Sequence, residues 1–481
     1  MHYLPQPAPS AAQVAPAYHR ECFQELHFYL NLNFMNAIIT YCGSDTGLSL
    51  RFEGFRTMFC RFFAVLLVCI CAIPAQGADW PQFRGPDRDN ISRETGMLRS
   101  WPAGGPKILW KIPVSQGYAG AAIKGGRVYV NDYDETKKAH LVRCLSLETG
   151  KDIWQWSYPV EIRPNHGITR TVPSVGQNLV FSFDPKCRFH ALDIKTGKPV
   201  WQKDLVKEYK ATIPGWYAGQ NPLLEGKQVL IATGGDALVV AFDQATGKEI
   251  WRSPNPANDL MSHASLMPAT IAGIRQFLYL TMNKVVGVSA SDGRILWTSP
   301  FITKIAAVPS PISVGDGRVF VTSGYEAGSA MYQVEKGVSG FSARRLYELT
   351  SMQFNSEAHT PILYENHLFA VGSKTRGRFT CLGLDGKVVW QSPVDSSAPG
   401  GPRTFDLGGF LLADGLFFAL DGRSGILRLF EASTQQYKEL ASAQILEGEE
   451  IWGPMALSDG KLIIRDLNHM VCLQVGRPTG R

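Results

Sequence analysis

Cysteine is scarce where the repeated part of this chain lies. Nine cysteines occur in 481 residues, and five of them (Cys22, Cys42, Cys60, Cys69 and Cys71) fall in the first 77. The other four (Cys144, Cys187, Cys381 and Cys472) include no vicinal pair and no metal-type spacing, which excludes a zinc-knuckle fold and a disulfide framework. Three of them, Cys144, Cys381 and Cys472, hold the same place in different repeats. Equivalent places in separate repeats lie too far apart for a disulfide, so they read as small buried hydrophobes. Charge of one sign is also missing: the net charge of +6 is spread without a basic run, which argues against nucleic-acid binding. No GxSxG, HExxH, P-loop or dinucleotide fingerprint occurs in the repeats, so no nucleophile is paired with a base on sequence grounds.

A long apolar run is absent as well. The longest useful one, Phe62 to Ile73, is short of the roughly 20 residues that a relaxed span needs. It follows Arg56, Met58 and Arg61 and ends at Ala75-Gln76-Gly77, the charged start, apolar centre and small-residue cut of a secretory signal peptide. Residues 1–57 carry no periodicity and no link to the repeats, so the reading starts the protein at Met58, with a leader over 58–77. The exported part then comprises an extended segment over 78–104, a repeat region over 105–475 and a tail over 476–481. The expected location is periplasmic or secreted, with no stable membrane span after cleavage and a monomeric state.

What the chain has in abundance is one recurring phrase. Ala191 to Trp201 reads ALDIKTGKPVW, Ala241 to Trp251 reads AFDQATGKEIW, and Cys144 to Trp154 reads CLSLETGKDIW, with shorter relatives ending at Trp297 and Trp390. Each is a strand, a Thr-Gly turn and a second strand closing on tryptophan. Recurrence every 40 to 50 residues means a propeller or solenoid, and eight copies give roughly 50 residues to each blade. The fold class expected is all-β: an eight-bladed β-propeller of four-stranded antiparallel blades. Trp110, Trp154, Trp201, Trp251, Trp297 and Trp390 would dock each blade on the next, with degenerate fourth strands near Tyr347 and Tyr437 to Leu440. Ile108-Leu109-Trp110 is a fourth strand without its first three, and the last unit, from Pro454 to Leu473, has three strands without a fourth. The two ends complete each other and close the ring.

The motif AxDxxTGKxxW resembles the tryptophan-docking repeat of pyrroloquinoline-quinone (PQQ) propellers, over nearly all of 105–475. The opening Asp79-Trp80-Pro81-Gln82-Phe83-Arg84-Gly85-Pro86 resembles the mature N-terminus of secreted PQQ-like proteins of planctomycete-type bacteria. The resemblance implies one of two roles. Quinoprotein alcohol dehydrogenases of the family hold the quinone and calcium on the propeller axis, whereas the outer-membrane assembly lipoprotein is a scaffold without cofactor. This chain lacks the vicinal cysteines and long inserted loops of the dehydrogenases, and Val68 before Cys69 breaks the lipobox of the lipoprotein.

Function in a propeller sits on loops at the channel mouth. His166, Arg170, Trp216, Tyr217, His263, Ser265, His359, Arg403 and Trp452 all fall just before or at first strands, so the repeat phase places them around one axial opening as candidate ligand-binding residues. The competing reading makes each histidine a hydrogen-bonding partner of a neighbouring loop. A three-histidine metal site from His166, His263 and His359 would need a narrow funnel, and no metal is expected. The sequence reading is therefore a binding or scaffold module with a protein or carbohydrate partner, no catalytic residues and no cofactor. The alternatives are a PQQ- and Ca²⁺-dependent dehydrogenase, and a carbohydrate- or peptide-recognition module using Trp216 and Tyr217 as a stacking platform.

Overall fold

In the Thr-Gly phrase, the aspartate organises the turn. Asp193 Oδ1 accepts from the Thr196 backbone N–H and hydroxyl, both at 2.8 Å, and Asp243 does the same for Thr246 at 2.9 and 2.7 Å. These bonds hold both carboxyls below their ordinary range. The glycine that follows has a positive φ (68° to 70° at Gly150, Gly197 and Gly247) and carries the tryptophan of the preceding blade. A Cβ on Gly197 would come within 2.4 Å of the Trp154 ring, and one on Gly150 within 2.7 Å of Trp110. Glycine is thus demanded twice, by the turn and by the ring above it.

These units build eight four-stranded antiparallel sheets, the blades of the propeller; the computed structural model describes residues 78–394, 396 and 404–477. The blades begin at Ala121, Ser174, Leu223, Met267, Ile312, Ile362, Phe410 and Ala456, and the only helix among the described residues is Leu205–Tyr209. First strands are buried and fourth strands largely exposed, so each blade runs from the axis outward. The ring closes as expected. Lys107–Pro113 pairs with His469–Gln474 in the eighth blade, with Ile108 opposite Leu473 and Trp110 opposite Cys472. Cys144, Cys187, Cys381 and Cys472 are free and buried. The leader over 58–77 and Arg403 lie outside the described residues.

Tryptophan docking joins successive blades. The indole N–H of Trp110, Trp154, Trp201 and Trp390 donates to Leu147, Ile194, Gln244 and Ser433 carbonyls of the next blade at 2.8 to 3.1 Å. Trp297 departs from the pattern. The fifth blade replaces the Thr-Gly turn with a long hairpin, Gly328–Gly337 with Gly340–Leu349, so Trp297 lacks a docking turn and turns back to Gln276 Oε1 of its own blade at 2.6 Å. Tyr347 takes the tryptophan's place in that blade, against Gly386.

Within the stretch over 78–104, residues 79–97 enter the axis. Trp80 bridges to Ile123 of the first blade, and the Val175 N–H of the second donates to Pro81 O at 2.8 Å. Arg84 donates to Thr360 O (2.6 Å) and Pro361 O (2.9 Å) of the sixth blade, and Arg88 to Pro222 O of the third (3.0 Å). Ile91–Ser92 then adds a parallel strand to the free inner edge of the seventh blade, opposite Leu412 and Ala413. Glu94 accepts from the Asp459 and Gly460 N–H groups of the eighth at 2.8 and 2.7 Å. Trp80 and Glu94 meet the ends of inner strands, whereas Arg84, Arg88 and Asn90 meet their beginnings. The segment therefore rises along the axis, turns at Arg84 to Asn90 and descends as a plug. Burial pushes the Arg84 and Arg88 guanidinium groups down to about 9.

Candidate functional site

Chain entering each inner strand crosses the face that the plug tip approaches from below, and a cavity of about 200 Å³ opens there, beside a second of about 300 Å³ that shares Trp216 and His263. Phe83 of the plug tip lines it from below. Around it stand Tyr118, His166, Arg170, Trp216, His263, Tyr325, Glu357, His359 and Trp452, from six blade-to-blade connections and one turn within the fifth blade.

The wall is largely aromatic. Trp452 stacks on Tyr118 with ring centroids 5.2 Å apart, and the Arg170 guanidinium lies 5.5 Å from the Tyr118 ring centre. Trp216 meets His166 edge-on at 6.4 Å, His263 at 6.4 Å and Tyr325 at 5.9 Å. Glu450 ties this side together, accepting from the Tyr118 hydroxyl and meeting His166 Nδ1 at 3.2 Å. Arg170 spends both Nη atoms on carbonyls of its own loop, including Asn165 O at 2.6 Å.

His263 and His359 are different in kind. Burial pushes both imidazoles down to about 4, with Arg170 acting on His263 and Arg84 on His359 in the same direction. Backbone hydrogen bonding, at Trp216 and Tyr217 for one and Leu407 for the other, pulls upward and falls short. Both rings are therefore neutral at neutral pH, and each Nε2 has no hydrogen-bond partner among the described residues. Gly219 makes room for the first ring: a Cβ there would lie 2.3 Å from His263 Cδ2.

Seven of the nine residues expected at the mouth line this cavity: His166, Arg170, Trp216, His263, Ser265, His359 and Trp452. Ser265 belongs to an interblade belt. Its hydroxyl accepts from the Asn221 N–H and Nδ2 at 3.0 Å, its N–H donates to Ser310 Oγ at 2.9 Å, and the Ser310 N–H to Thr360 Oγ1 at 2.8 Å. Tyr217 turns away from its neighbour Trp216. Its φ of 64° sends the ring against Tyr133, Val160, Ile162 and Ile168, and its hydroxyl donates to Arg163 O at 2.9 Å, so the two do not form one platform. Arg403 falls outside the described residues. Among the described residues, no group of three His, Cys, Asp or Glu is placed to hold a metal ion, and His166, His263 and His359 share the cavity without converging on a point.

Sequence reasoning missed Phe83, Tyr118, Tyr325, Glu357 and Glu450. Tyr118 sits at the same repeat phase as His263 and His359 and was open to the same argument. Tyr325 lies in a second-to-third-strand turn and Phe83 in the plug, and neither shares that phase.

A family profile described as outer membrane protein assembly factor BamB matches residues 137–392 and again 237–469. The BamB of Nitrosomonas eutropha is 26% identical over 271 residues, 55% of this chain and 60% of that protein. Quinoprotein alcohol dehydrogenase PedH of Pseudomonas putida is 30% identical over 139 residues, 27% of this chain and 22% of that protein. The matched stretches thus span three fifths of the first relative and about a fifth of the second. The quinohemoprotein alcohol dehydrogenase of Comamonas testosteroni superposes with a TM-score of 0.54 at 13% identity, over 86% of this chain and 83% of that one, a likeness of fold. No helix among the described residues is long and apolar enough to cross a membrane. Eight blades locked by docked tryptophans and a profile match over most of the chain lead to one assignment: the chain belongs to the PQQ-like β-propeller family.

Proposed function

We propose that this protein is a non-catalytic binding module of the cell envelope, a scaffold that holds a partner molecule at the funnel face. One observation carries the reading: six blade connections bring aromatic rings and two buried, unpartnered imidazole nitrogens to a single cavity. Unmet polar atoms in a concave, largely apolar wall are what a ligand satisfies. The likeness to BamB supports the scaffold side of the reading and an envelope location.

A quinone cofactor fits the residues poorly. PQQ is a tricarboxylate and calls for several open cationic donors. Arg170 directs its Nη atoms at its own loop, Arg84 sends donors to inner-strand carbonyls, and Glu357 adds a repelling carboxylate. No calcium-type ligand group occurs among the described residues, and the axis is occupied by the chain itself.

A photo-crosslinking residue tests the reading, placed at Trp216 in one variant and at the exposed outer-strand Val200 in another, in cells that make the protein. Adducts confined to the Trp216 variant are expected. Equal labelling at both sites, or dye-linked alcohol oxidation on adding PQQ and Ca²⁺ to the purified protein, overturns it.

A further inference from the structure

We propose that the funnel cavity is a saccharide site, taking one uncharged sugar ring of the molecule held at this face. The inference rests on the reading of that face as a binding surface and names the chemistry of what enters it. The polar groups of the wall decide the class. His263 and His359 line the space, and each carries a buried Nε2 with no partner among the described residues; in a neutral imidazole held to the backbone through its other nitrogen, that atom can only accept. Glu357 is an acceptor as well, with Oε2 engaged by the Ser373 hydroxyl. Asn221 and Ser265 are spent on the interblade belt, and the Arg170 Nη atoms on their own loop. The open capacity is mainly for accepting, so the ligand must bring donors.

Organic cations and hydroxyl-bearing rings both bring donors, and charge separates them. A cation entering the cavity meets Arg170 in the wall and the buried Arg84 beneath His359, each close enough to act on the neighbouring imidazole. The carboxylates of Glu357 and Glu450 offset these guanidinium groups without outweighing them, so a cation gains little. An anion meets the Glu357 carboxylate in the wall and finds the Arg170 Nη atoms already bonded to their own loop. A sugar ring is neutral, donates through its hydroxyls to Nε2 and carboxylate acceptors, and lays its C–H faces on aromatic rings. Trp216, Tyr325, Trp452 and Phe83 border the space, whose volume of about 200 Å³ suits one ring; a second pocket of about 300 Å³ shares Trp216 and His263 with it.

Saturation-transfer NMR tests this on the whole exported protein. The probes are methyl glycosides of glucose, galactose, mannose and N-acetylglucosamine, with tetramethylammonium and acetate as the cationic and anionic counterparts. At least one glycoside is expected to bind, with affinity falling tenfold or more in Trp216→Ala and threefold or more in Glu357→Gln. The second variant keeps side-chain shape and serves if the first does not fold. Binding of tetramethylammonium or acetate in place of the glycosides overturns the proposal, as does glycoside binding indifferent to both substitutions. If no probe binds while crosslinks still form through position 216, the saccharide assignment fails and the binding face stands.

Discussion

Arg84 and His359 lie close enough to interact, yet they belong to two differently built regions of the axis. In the plug, Arg84 directs its guanidinium at four carbonyl oxygens, those of Arg88, Asp89, Thr360 and Pro361, at 2.6 to 3.0 Å. At the mouth, the His263 and His359 rings are partly exposed, yet their Nε2 atoms are buried and meet no partner among the described residues. The plug has one loose end, Arg88, whose Nε and Nη2 lack partners among the described residues while its guanidinium faces the Phe83 ring at 6.0 Å. Burying a polar group is costly unless it is hydrogen-bonded, so the saturated region reads as structure and the unsaturated one as a place for something else. Buried polar atoms with opposite hydrogen-bond accounting separate scaffold from site.

Acid should separate the two regions most strongly. Burial holds His263 and His359 at about 4 and the interblade pair His140 and His190 at about 3. Their folded values lie below the ordinary 6.5, so as pH falls from 6.5 toward 4 the unfolded chain takes up protons that the fold refuses. Stability is full above 6.5 and lost through that window. Asp184, raised to about 6 by burial, acts the other way between 6 and 3.8, and the Asp89 and Glu94 carboxyls, also raised by burial, act in the same direction as Asp184. Urea titrations at pH 7 and pH 4.5 should therefore differ by several kcal/mol, and His359→Phe should flatten the slope. The plug arginines stay charged throughout. A stability flat from pH 7 to 4.5 would break the contrast.

The plug itself is probed by Arg84→Met, which strands four buried carbonyls and removes an axial anchor. A loss of about 3–5 kcal/mol in urea unfolding is expected, on the scale of breaking a buried charged network. A change within the error of the measurement would make the plug an accessory. Gly219→Ala acts at the mouth, where the new Cβ displaces His263. About 1–3 kcal/mol of stability is expected to go, together with ligand signals at the cavity, and retention of those signals would detach His263 from the site. Glu450→Gln should have the smallest effect. It keeps the shape beside Tyr118 and His166, and the pair it breaks, His166 with Glu450, is exposed enough to contribute up to about 1 kcal/mol. A larger loss would show the rim to be as structural as the plug.

The ring was legible in the sequence because its causes are local and repeated. The aspartate-capped Thr-Gly turn, the glycine under a tryptophan and the period-two strands recur in register, so eight blades and the closing strand at Ile108 to Trp110 could be counted directly. Repeat phase also placed His166, Trp216, His263, His359 and Trp452 at one mouth, because chain entering successive inner strands must cross the same face.

Only tertiary structure decided the rest. That residues 79–97 fold up into the axis depends on the free inner edges of blades hundreds of residues away, and no local pattern in DWPQFRGP announces it. Whether Trp216 and Tyr217 act together turned on one backbone angle. Whether a mouth residue belongs to the belt, like Ser265, or keeps an unmet atom, like His263 two positions earlier, is set by partners on neighbouring blades. Spacing along one chain determines which blade and which face a residue occupies, while the hydrogen bonds left unmet are a property of the closed ring.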